Sequence, residues 1–479
     1  MARRPAKSET AGALHFLSLT EVAALLRKKA VSPVELTHAC LKRIEALNPL
    51  LNAFLTVTAE AALERARAAE REIARGRRRG PLHGIPIALK DLIDTAGIRT
   101  TAASAVFAER LPQHDAEVVR RLKAAGAVLL GKLNLHEFAY GGSGVIGHFG
   151  PARNPWDPAR ITGGSSSGSA AAVAAGMCYA ALGTDTAGSI RLPAACCGSV
   201  GLKPTYGLVS ARGVIPLAWS YDHVGPMARS VADAAAVLAA IAGYDPEDVG
   251  SQPVPVADYG AALKASTSSL RLGVAREFFF AGLDPEVSSA IEKALQLLAG
   301  LVKEVRDVTV PVDADRTVMT AEAWAYHAPR VAEQGERYHP ETLRRIRTGA
   351  EVTAAAYLEK RRELELLRRR AGEIFSAVDL VVAPTTPVPP PSFAELEENP
   401  QELRPREMLM LRNTRPFNVL GLPTLSLPCG FTAAGLPVGL QVAGPAGGEA
   451  AVLGLAHAYE RSAGWIGRHP SLPAQSVPN

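Results

Sequence analysis

Length, composition and charge describe a large globular chain and exclude several classes of protein. The chain has 479 residues, of which 47% are hydrophobic and 21% charged, values typical of a folded protein and not of a disordered or fibrous one. Its net charge of +5 is small for this length, so we expect neither nucleic acid nor an anionic membrane as a partner.

The cysteines and the start of the chain indicate the compartment. The five cysteines are odd in number and lie mostly in apolar runs, which favours free thiols in a reducing environment. The basic N-terminus lacks the apolar core of a signal peptide. The longest uncharged apolar run, 170–182, is shorter than the roughly 20 residues that span a membrane. We therefore expect a cytoplasmic protein without a membrane span, a metal or a cofactor.

The first part of the chain is predicted to alternate helices with short buried strands. Helices are expected over 32–47, 59–75 and 116–125, and strands over 85–89 and 127–130. Ser32 and Glu35 form a capping box with a proline between them, which marks the first helix start. The strand at 85–89 delivers Lys90 to the edge of a sheet. The basic segment 75–79 is interpreted as a solvated loop in preference to a phosphate site.

Two patterns in this part resemble nucleotide-binding motifs and are interpreted as chance matches. Gly126 to Lys132 fits a P-loop except that Leu133 stands where a Ser or Thr would hold a metal ion. Gly142 to Gly147 matches a dinucleotide fingerprint, but no helix is predicted to follow it.

Two serine clusters, Gly163–Ser169 and Thr184–Arg191, flank an alanine-rich segment. Ala170 to Ala175 is predicted to be a closely packed helix because alanine has the highest helix propensity. A Gly/Ser run is often a linker, but this one leads directly into a helix. The arrangement therefore predicts that two hydroxyl groups, one from each cluster, return to one place.

The second part continues the alternation and becomes largely helical. The alternation of helices and strands continues through Leu208–Pro216. A helix is then predicted over 231–242, a strand over 270–275 and a helix over 285–303. The segment 320–375 is predicted to be mostly helical, with breaks near Pro329 and Pro340. The arginines of 361–370 are interleaved with glutamates, which favours a salt-bridged surface helix over a tRNA-facing patch. The segment 388–406 is predicted to be a polar loop that could act as a movable rim.

Several separated motifs resemble those of the amidase signature family. They are the two serine clusters through Pro193 together with Gly84–Asp91, Gly131–Asn134, Gly201–Thr205 and Gly421–Pro423, and the likeness extends from about Leu14 to about Trp465. The resemblance implies an α/β fold with a mixed central β-sheet covered by helices on both faces. It also implies one domain over 1–479, with flexible tails at about 1–10 and 471–479.

The resemblance further implies a catalytic set. Lys90 would be the base, Ser165 the bridging serine after a cis peptide bond, and Ser189 the nucleophile; they lie 75 and 24 positions apart, as in the family. The oxyanion would meet the backbone N–H groups of Thr186, Ala187, Gly188 and Ser189, with Ser166, Asp185 and Arg191 in supporting roles. Ser167 and Ala187 replace usual glycines, and Ala187 would be strained if its φ were positive.

The residues themselves are consistent with lysine as the base. Serine is a weak nucleophile near neutral pH and needs a base, and neither serine cluster contains a histidine. A buried lysine can serve because burial disfavours its charged form. Lys90 would accept the proton of Ser189 through Ser165.

Three functions are in contention. The preferred one is a stand-alone hydrolase that cleaves C–N bonds in small linear carboxamides, anilides or carbamates, with an ester or urethane side activity. Its partner would be a small-molecule substrate, and a homodimer is one arrangement considered. The alternatives are the catalytic A subunit of a tRNA-dependent amidotransferase and a non-catalytic binding protein. The A subunit usually has Asp-Glu-Phe-Ala-Met-Gly-Ser where this chain has His136 to Gly142, and its Tyr-Tyr pair is missing from the second half. Acyl and amine specificity stay open.

Overall fold

The computed structural model describes residues 14–472. The predicted tail at 1–10 lies outside this range, as does 473–479 of the predicted C-terminal tail. Within it, eleven strands form one sheet. The strands are β1 (Phe54–Val57), β2 (Pro86–Lys90), β3 (Val128–Leu133), β4 (Ala180–Asp185), β5 (Val200–Lys203), β6 (His223–Ala228), β7 (Arg271–Val274), β8 (Glu304–Asp307), β9 (Leu380–Pro384), β10 (Thr424–Phe431) and β11 (Pro437–Ala443).

The helices cover this sheet. They are α1 (Leu19–Arg27), α2 (Pro33–Leu51), α3 (Ala59–Ala74), α4 (Glu117–Ala125), α5 (Ser167–Ala174), α6 (Arg191–Cys197), α7 (Val231–Ile241), α8 (Tyr259–Ala262), α9 (Arg276–Phe279), α10 (Pro285–Ala299), α11 (Thr317–Gln334), α12 (Pro340–Arg347), α13 (Ala354–Arg370), α14 (Phe393–Glu398), α15 (Leu403–Leu411), α16 (Arg415–Val419) and α17 (Glu449–Ala463). No helix of the described residues is both long and apolar enough to cross a membrane.

The sheet is mixed, which confirms the predicted fold class. Its order is β1-β3-β2-β4-β6-β5-β10-β11-β9-β7-β8. β2 runs parallel to both β3 and β4, while β4 runs antiparallel to β6. Because parallel strands end at the same edge of a sheet, Lys90 at the end of β2 lies near the end of β4, where Asp185 leads into the second serine cluster.

The helix between the two serine clusters is entirely buried, and its small residues explain how it fits. A Cβ added to Gly168 would lie 2.3 Å from the carbonyl oxygen of Ala53 and 2.5 Å from the backbone nitrogen of Asn134. The helix therefore packs directly against backbone, which larger side chains would prevent. The prediction of a closely packed helix here is confirmed, although α5 begins at Ser167.

Several predicted element boundaries were wrong. The first helix does not end before Pro49, since α2 continues to Leu51; the N–H that Pro49 lacks would have met the carbonyl of Glu45 on the exposed face. In the same way α11 passes through Pro329. Residues 208–216 form turns and one isolated bridge between Val214 and Ile93, and no strand; Gly213 there has a positive φ. The predicted loop at 388–406 contains α14 and the start of α15.

Candidate active site

Lys90 lies at the centre of a buried polar cluster. Its Nζ donates to Ser165 Oγ at 2.7 Å and to Thr184 Oγ1 at 2.8 Å. The lysine side chain is fully buried, and none of the described carboxylates lies within ion-pair distance of it. Burial lowers the pKa of Lys90 to about 7, against the weaker opposing charges of Asp185 and Asp222. A substantial fraction of Lys90 is therefore neutral near neutral pH and able to accept a proton.

Ser165, the predicted bridging serine, is held by a loop that precedes it in sequence. The Gly164–Ser165 peptide bond is cis, as the resemblance implies. The His136 N–H donates to the carbonyl of Ser165 at 3.1 Å, and the Gly164 N–H donates to the carbonyl of Gly142 at 2.7 Å. These two bonds fix the backbone on both sides of the cis bond.

The loop that contains His136 and Gly142 is held in place by a buried carboxylate. Glu407 in α15 accepts a hydrogen bond from Ser143 Oγ at 2.7 Å and forms an ion pair with Arg345 in α12 at 2.8 Å. Arg345 also donates to the carbonyl of Tyr140 at 2.7 Å. Two helices distant in sequence thus stabilise the loop, a support that no local sequence pattern indicated.

The second serine cluster forms a tight turn at the end of β4. The Ser166 N–H donates to the carbonyl of Ser189 at 3.2 Å, so the backbones of the two clusters lie side by side. No hydrogen bond joins the Ser165 and Ser189 hydroxyls within residues 14–472, and the proton relay between them stays a prediction. Gly188 has a φ of +136°, and a Cβ there would lie 2.0 Å from Thr414 Oγ1. Ala187 does not have a positive φ, so its methyl group causes no backbone strain. Ser189 is 5% exposed, whereas Lys90 and Ser165 are fully buried.

The four predicted oxyanion donors differ in availability. The Gly188 N–H already donates to Asp185 Oδ1 at 2.7 Å. The backbone N–H groups of Thr186, Ala187 and Ser189 make no hydrogen bond to any residue between 14 and 472. These three are the donors that a developing negative charge on a substrate carbonyl could use.

Asp185 and Arg191 form a buried ion pair that shapes the turn. Arg191 Nη2 lies 3.1 Å from Asp185 Oδ1, and the carboxylate also accepts from the Ile190 N–H at 3.1 Å. Burial alone would raise the pKa of Asp185, but the charge and hydrogen bonds of Arg191 hold it well below its usual value. The guanidinium is fixed by Gln441 Oε1 at 3.1 Å and Asn418 Oδ1 at 2.5 Å. The pair therefore stays ionised and holds the shape of the turn.

Ser166 is connected to Lys90 only through Thr184. Its Oγ donates to the carbonyl of Thr184 at 3.2 Å and accepts from the Thr184 N–H at 3.3 Å. It positions the strand that carries the Thr184 hydroxyl and makes no hydrogen bond to the Lys90 ammonium group.

Two residues of the site were not identified from the sequence. Thr184 supplies the second acceptor for Lys90, and Asp222 Oδ1 accepts from Thr186 Oγ1 at 2.5 Å while its other oxygen accepts from the Leu217 and Ala218 N–H groups. Thr184 lies near the carboxyl end of β4, the edge of the sheet at which the parallel strand β2 ends in Lys90, a signal that could have identified it. Asp222 lies 36 positions beyond Thr186 and gave no comparable signal.

A pocket lies beside Thr184 and Thr186. Its walls include Ala211, Val214, Ile215 and Leu217, with Asp222 as its acidic member.

Known proteins resemble this chain along nearly its whole length. A profile of the amidase family matches residues 35–453. The A subunit of the glutamyl-tRNA(Gln) amidotransferase of Moorella thermoacetica is 43% identical, over 96% of this chain and 99% of that protein. The solved A subunit of the enzyme of that name from Thermotoga maritima is 35% identical with a TM-score of 0.78, over 97% of this chain and 99% of that one. A solved 6-aminohexanoate cyclic dimer hydrolase is 31% identical with a TM-score of 0.87, over 95% and 99%.

These similarities overturn two expectations. The preference for a stand-alone amidase over the A subunit of an amidotransferase was wrong, because proteins of that name are 41–43% identical over 94–96% of this chain. The exclusion of nucleic acid as a partner was wrong for the same reason. It relied on a small net charge, and net charge does not describe how charge is distributed over a surface.

Proposed function

Because the chain belongs to the amidase family, which acts on C–N bonds of amides, we propose that it is the A subunit of a tRNA-dependent amidotransferase. In this role it would release ammonia from a donor carboxamide for transfer to glutamyl-tRNA. The observation that carries the chemistry is the lysine with two hydroxyl acceptors and no contacting carboxylate. The end-to-end identity with the A subunits of glutamyl-tRNA(Gln) amidotransferases supports the choice of reaction.

The proposed mechanism proceeds through an acyl-enzyme. Neutral Lys90 accepts the proton of Ser165 as Ser165 accepts that of Ser189, and the Ser189 oxygen attacks the carboxamide carbon. The oxyanion meets free backbone N–H groups of the turn. When the tetrahedral intermediate collapses, Ser165 returns a proton to the departing nitrogen and ammonia leaves. Water, activated along the same relay, then hydrolyses the ester at Ser189.

The reaction has implications for partners. The relatives are named as one component of a larger enzyme, so we expect this chain to associate with further subunits and with an aminoacylated tRNA. The nucleophile is the one group of the relay with some exposure, and ammonia released there must reach the acceptor without loss to solvent.

Two measurements on the full-length chain test the proposal. A fluorophosphonate should label Ser189, and the label should disappear in Ser189→Ala; label on another residue would contradict the assignment of the nucleophile. Ammonia release from L-glutamine should then be compared with aniline release from a simple anilide. We expect glutamine to be preferred in kcat/KM. Cleavage of the anilide with no ammonia from glutamine would refute the amidotransferase role and leave a hydrolase of other amides.

A further inference from the structure

Two cationic segments that are distant in sequence meet on one surface. The α1 helix ends at Arg27 and is followed by Lys28 and Lys29, while the chain leaves α3 through the basic segment 75–79. Arg78 Nη2 donates to the carbonyl of Ala23 in α1 at 3.1 Å, which fastens the second segment to the first. We call the resulting surface the basic patch; it consists of Arg27, Lys28, Lys29, Arg75, Arg77 and Arg78.

The basic patch carries charge that the described part of the protein does not neutralise. All six side chains are exposed, and none forms an ion pair with any residue between 14 and 472. The nearby carboxylate of Glu72 forms an ion pair with Arg79 at 2.8 Å. Burial, and next the charge of Arg27, lower the pKa of Arg78, which places these two cations close together. The six charges exceed the +5 of the whole chain, so the rest of the protein is close to neutral.

A second arginine-rich surface shows that such clustering is not a general feature of the chain. On α13, Arg361 pairs with Glu365 at 2.6 Å and Lys360 with Glu363 at 2.7 Å. At its end Arg370 pairs with Glu373 at 3.2 Å. Glutamates thus pair with several of the cations on α13, as expected of a solvated helix, although Arg362 and Arg369 form no ion pair with the described residues. The basic patch lacks this compensation, and unpaired like charges held together repel one another unless an anion lies against them.

We propose that the basic patch binds the phosphate backbone of RNA. The choice of RNA rests on the proposed function, in which the acceptor is a tRNA. Arginine presents a planar fork of donors that matches phosphate, and four of the six residues are arginines. The patch has no aromatic member on which a base could stack, so it contacts the backbone and not the bases.

Binding of the full-length chain to fluorescently labelled, unfractionated tRNA tests this proposal. The anisotropy titration is repeated over a range of salt concentrations with Arg75→Gln/Arg77→Gln/Arg78→Gln. We expect binding to weaken by about tenfold or more and the slope of log Kobs against log salt to fall by about 2, since each phosphate contact contributes about 0.7 to 0.9. The matched control, Arg362→Gln/Arg369→Gln/Arg370→Gln on α13, removes the same charge from exposed positions and should change binding by less than about threefold.

A second variant guards against a local structural effect of losing the Arg78 bond to Ala23. Arg27→Gln/Lys28→Gln/Lys29→Gln keeps Arg78 and should weaken tRNA binding in the same way. Equal losses in the patch and control variants would overturn the proposal. So would patch-dependent binding to vesicles of anionic phospholipid without binding to tRNA, which would identify a membrane surface.

The test of the basic patch can fail or succeed independently of the test of the proposed amidotransferase function. Amide hydrolysis should be unchanged in both patch variants because none of these residues belongs to the catalytic cluster. Patch-dependent tRNA binding by a chain that releases no ammonia from glutamine would refute the amidotransferase chemistry alone. Hydrolysis of glutamine without patch-dependent tRNA binding would refute the patch alone.

Discussion

Lys90 and Lys132 lie on neighbouring parallel strands, and both are buried, yet their surroundings differ in one respect. Lys132 Nζ donates to the carbonyl of Ile93 at 2.8 Å and to Thr100 Oγ1 at 2.6 Å, and it lies 3.3 Å from the carboxylate of Asp91. Lys90 has two hydroxyl acceptors and no carboxylate in contact. The sheet thus carries two buried lysines, one with a counter-charge and one without.

The difference supports the proposal that Lys90 is the base and Lys132 has a structural role. Burial lowers the pKa of both, but the adjacent carboxylate of Asp91 opposes the shift at Lys132. At Lys90 the opposing carboxylates, Asp185 and Asp222, act from a distance, and the pKa falls to about 7. A lysine that loses its proton so readily can act as a base, whereas a paired one holds its neighbours in place.

Of the two replacements by methionine, the one at Lys90 should reduce turnover more than the one at Lys132. Lys90→Met removes the base, and we expect kcat to fall by about 10² to 10⁴, the usual contribution of a general base. The measurement is ammonia release from glutamine, with the amount of folded enzyme determined separately by circular dichroism. Near-normal turnover in Lys90→Met would show that another group is the base.

The free energy of unfolding should be affected in the opposite order, with the loss in Lys132→Met. Lys132→Met leaves the buried carboxylate of Asp91 without its cation, which should cost about 3 to 5 kcal/mol in the free energy of unfolding. Lys90→Met removes a buried cation that has no counter-charge in contact and leaves only hydroxyls behind, so it should raise the free energy of unfolding near neutral pH. Denaturant unfolding compares the two variants. Asp91→Asn added to Lys132→Met should recover part of the loss, and no recovery would mean that the pair is not the source.

The pH dependence of kcat/KM sharpens the comparison further. In the proposed mechanism Lys90 acts as the neutral amine, so kcat/KM should rise by about tenfold per pH unit toward about pH 7 and should level off above it. Asp222→Asn tests the assignment because Asp222 opposes the lowering of the Lys90 pKa. The variant should move the rising limb to lower pH; a limb that disappears would show that Asp222 itself titrates.

The two lysines also show how far the sequence could be interpreted. Lys90 was identified because an apolar strand ends in it and because the motifs around it resemble a known family. The structure adds the contact to Ser165 that this interpretation required. The partner of Lys132 was not identified, since Asp91 and Thr100 reach it only through the pairing of two strands and a loop. Pairing between distant segments also brings Thr184 to Lys90 and Glu407 to Ser143. Propensity and spacing describe local structure and carry no information about such contacts.

The smallest expected effect concerns the second acceptor of Lys90. Thr184→Val keeps the shape of the side chain but removes the hydroxyl, so Nζ has only Ser165 Oγ as a partner. A single hydrogen bond of this kind contributes about 1 kcal/mol, which corresponds to a change in kcat of about fivefold. The direction of the accompanying pKa shift follows from the charge of the lysine. The Thr184 oxygen stabilises the ammonium form, so its loss should also lower the pKa that governs kcat/KM. A variant with lower kcat and a pH limb displaced downward would assign Thr184 to positioning the base, whereas a rise in KM alone would place its hydroxyl in substrate binding instead.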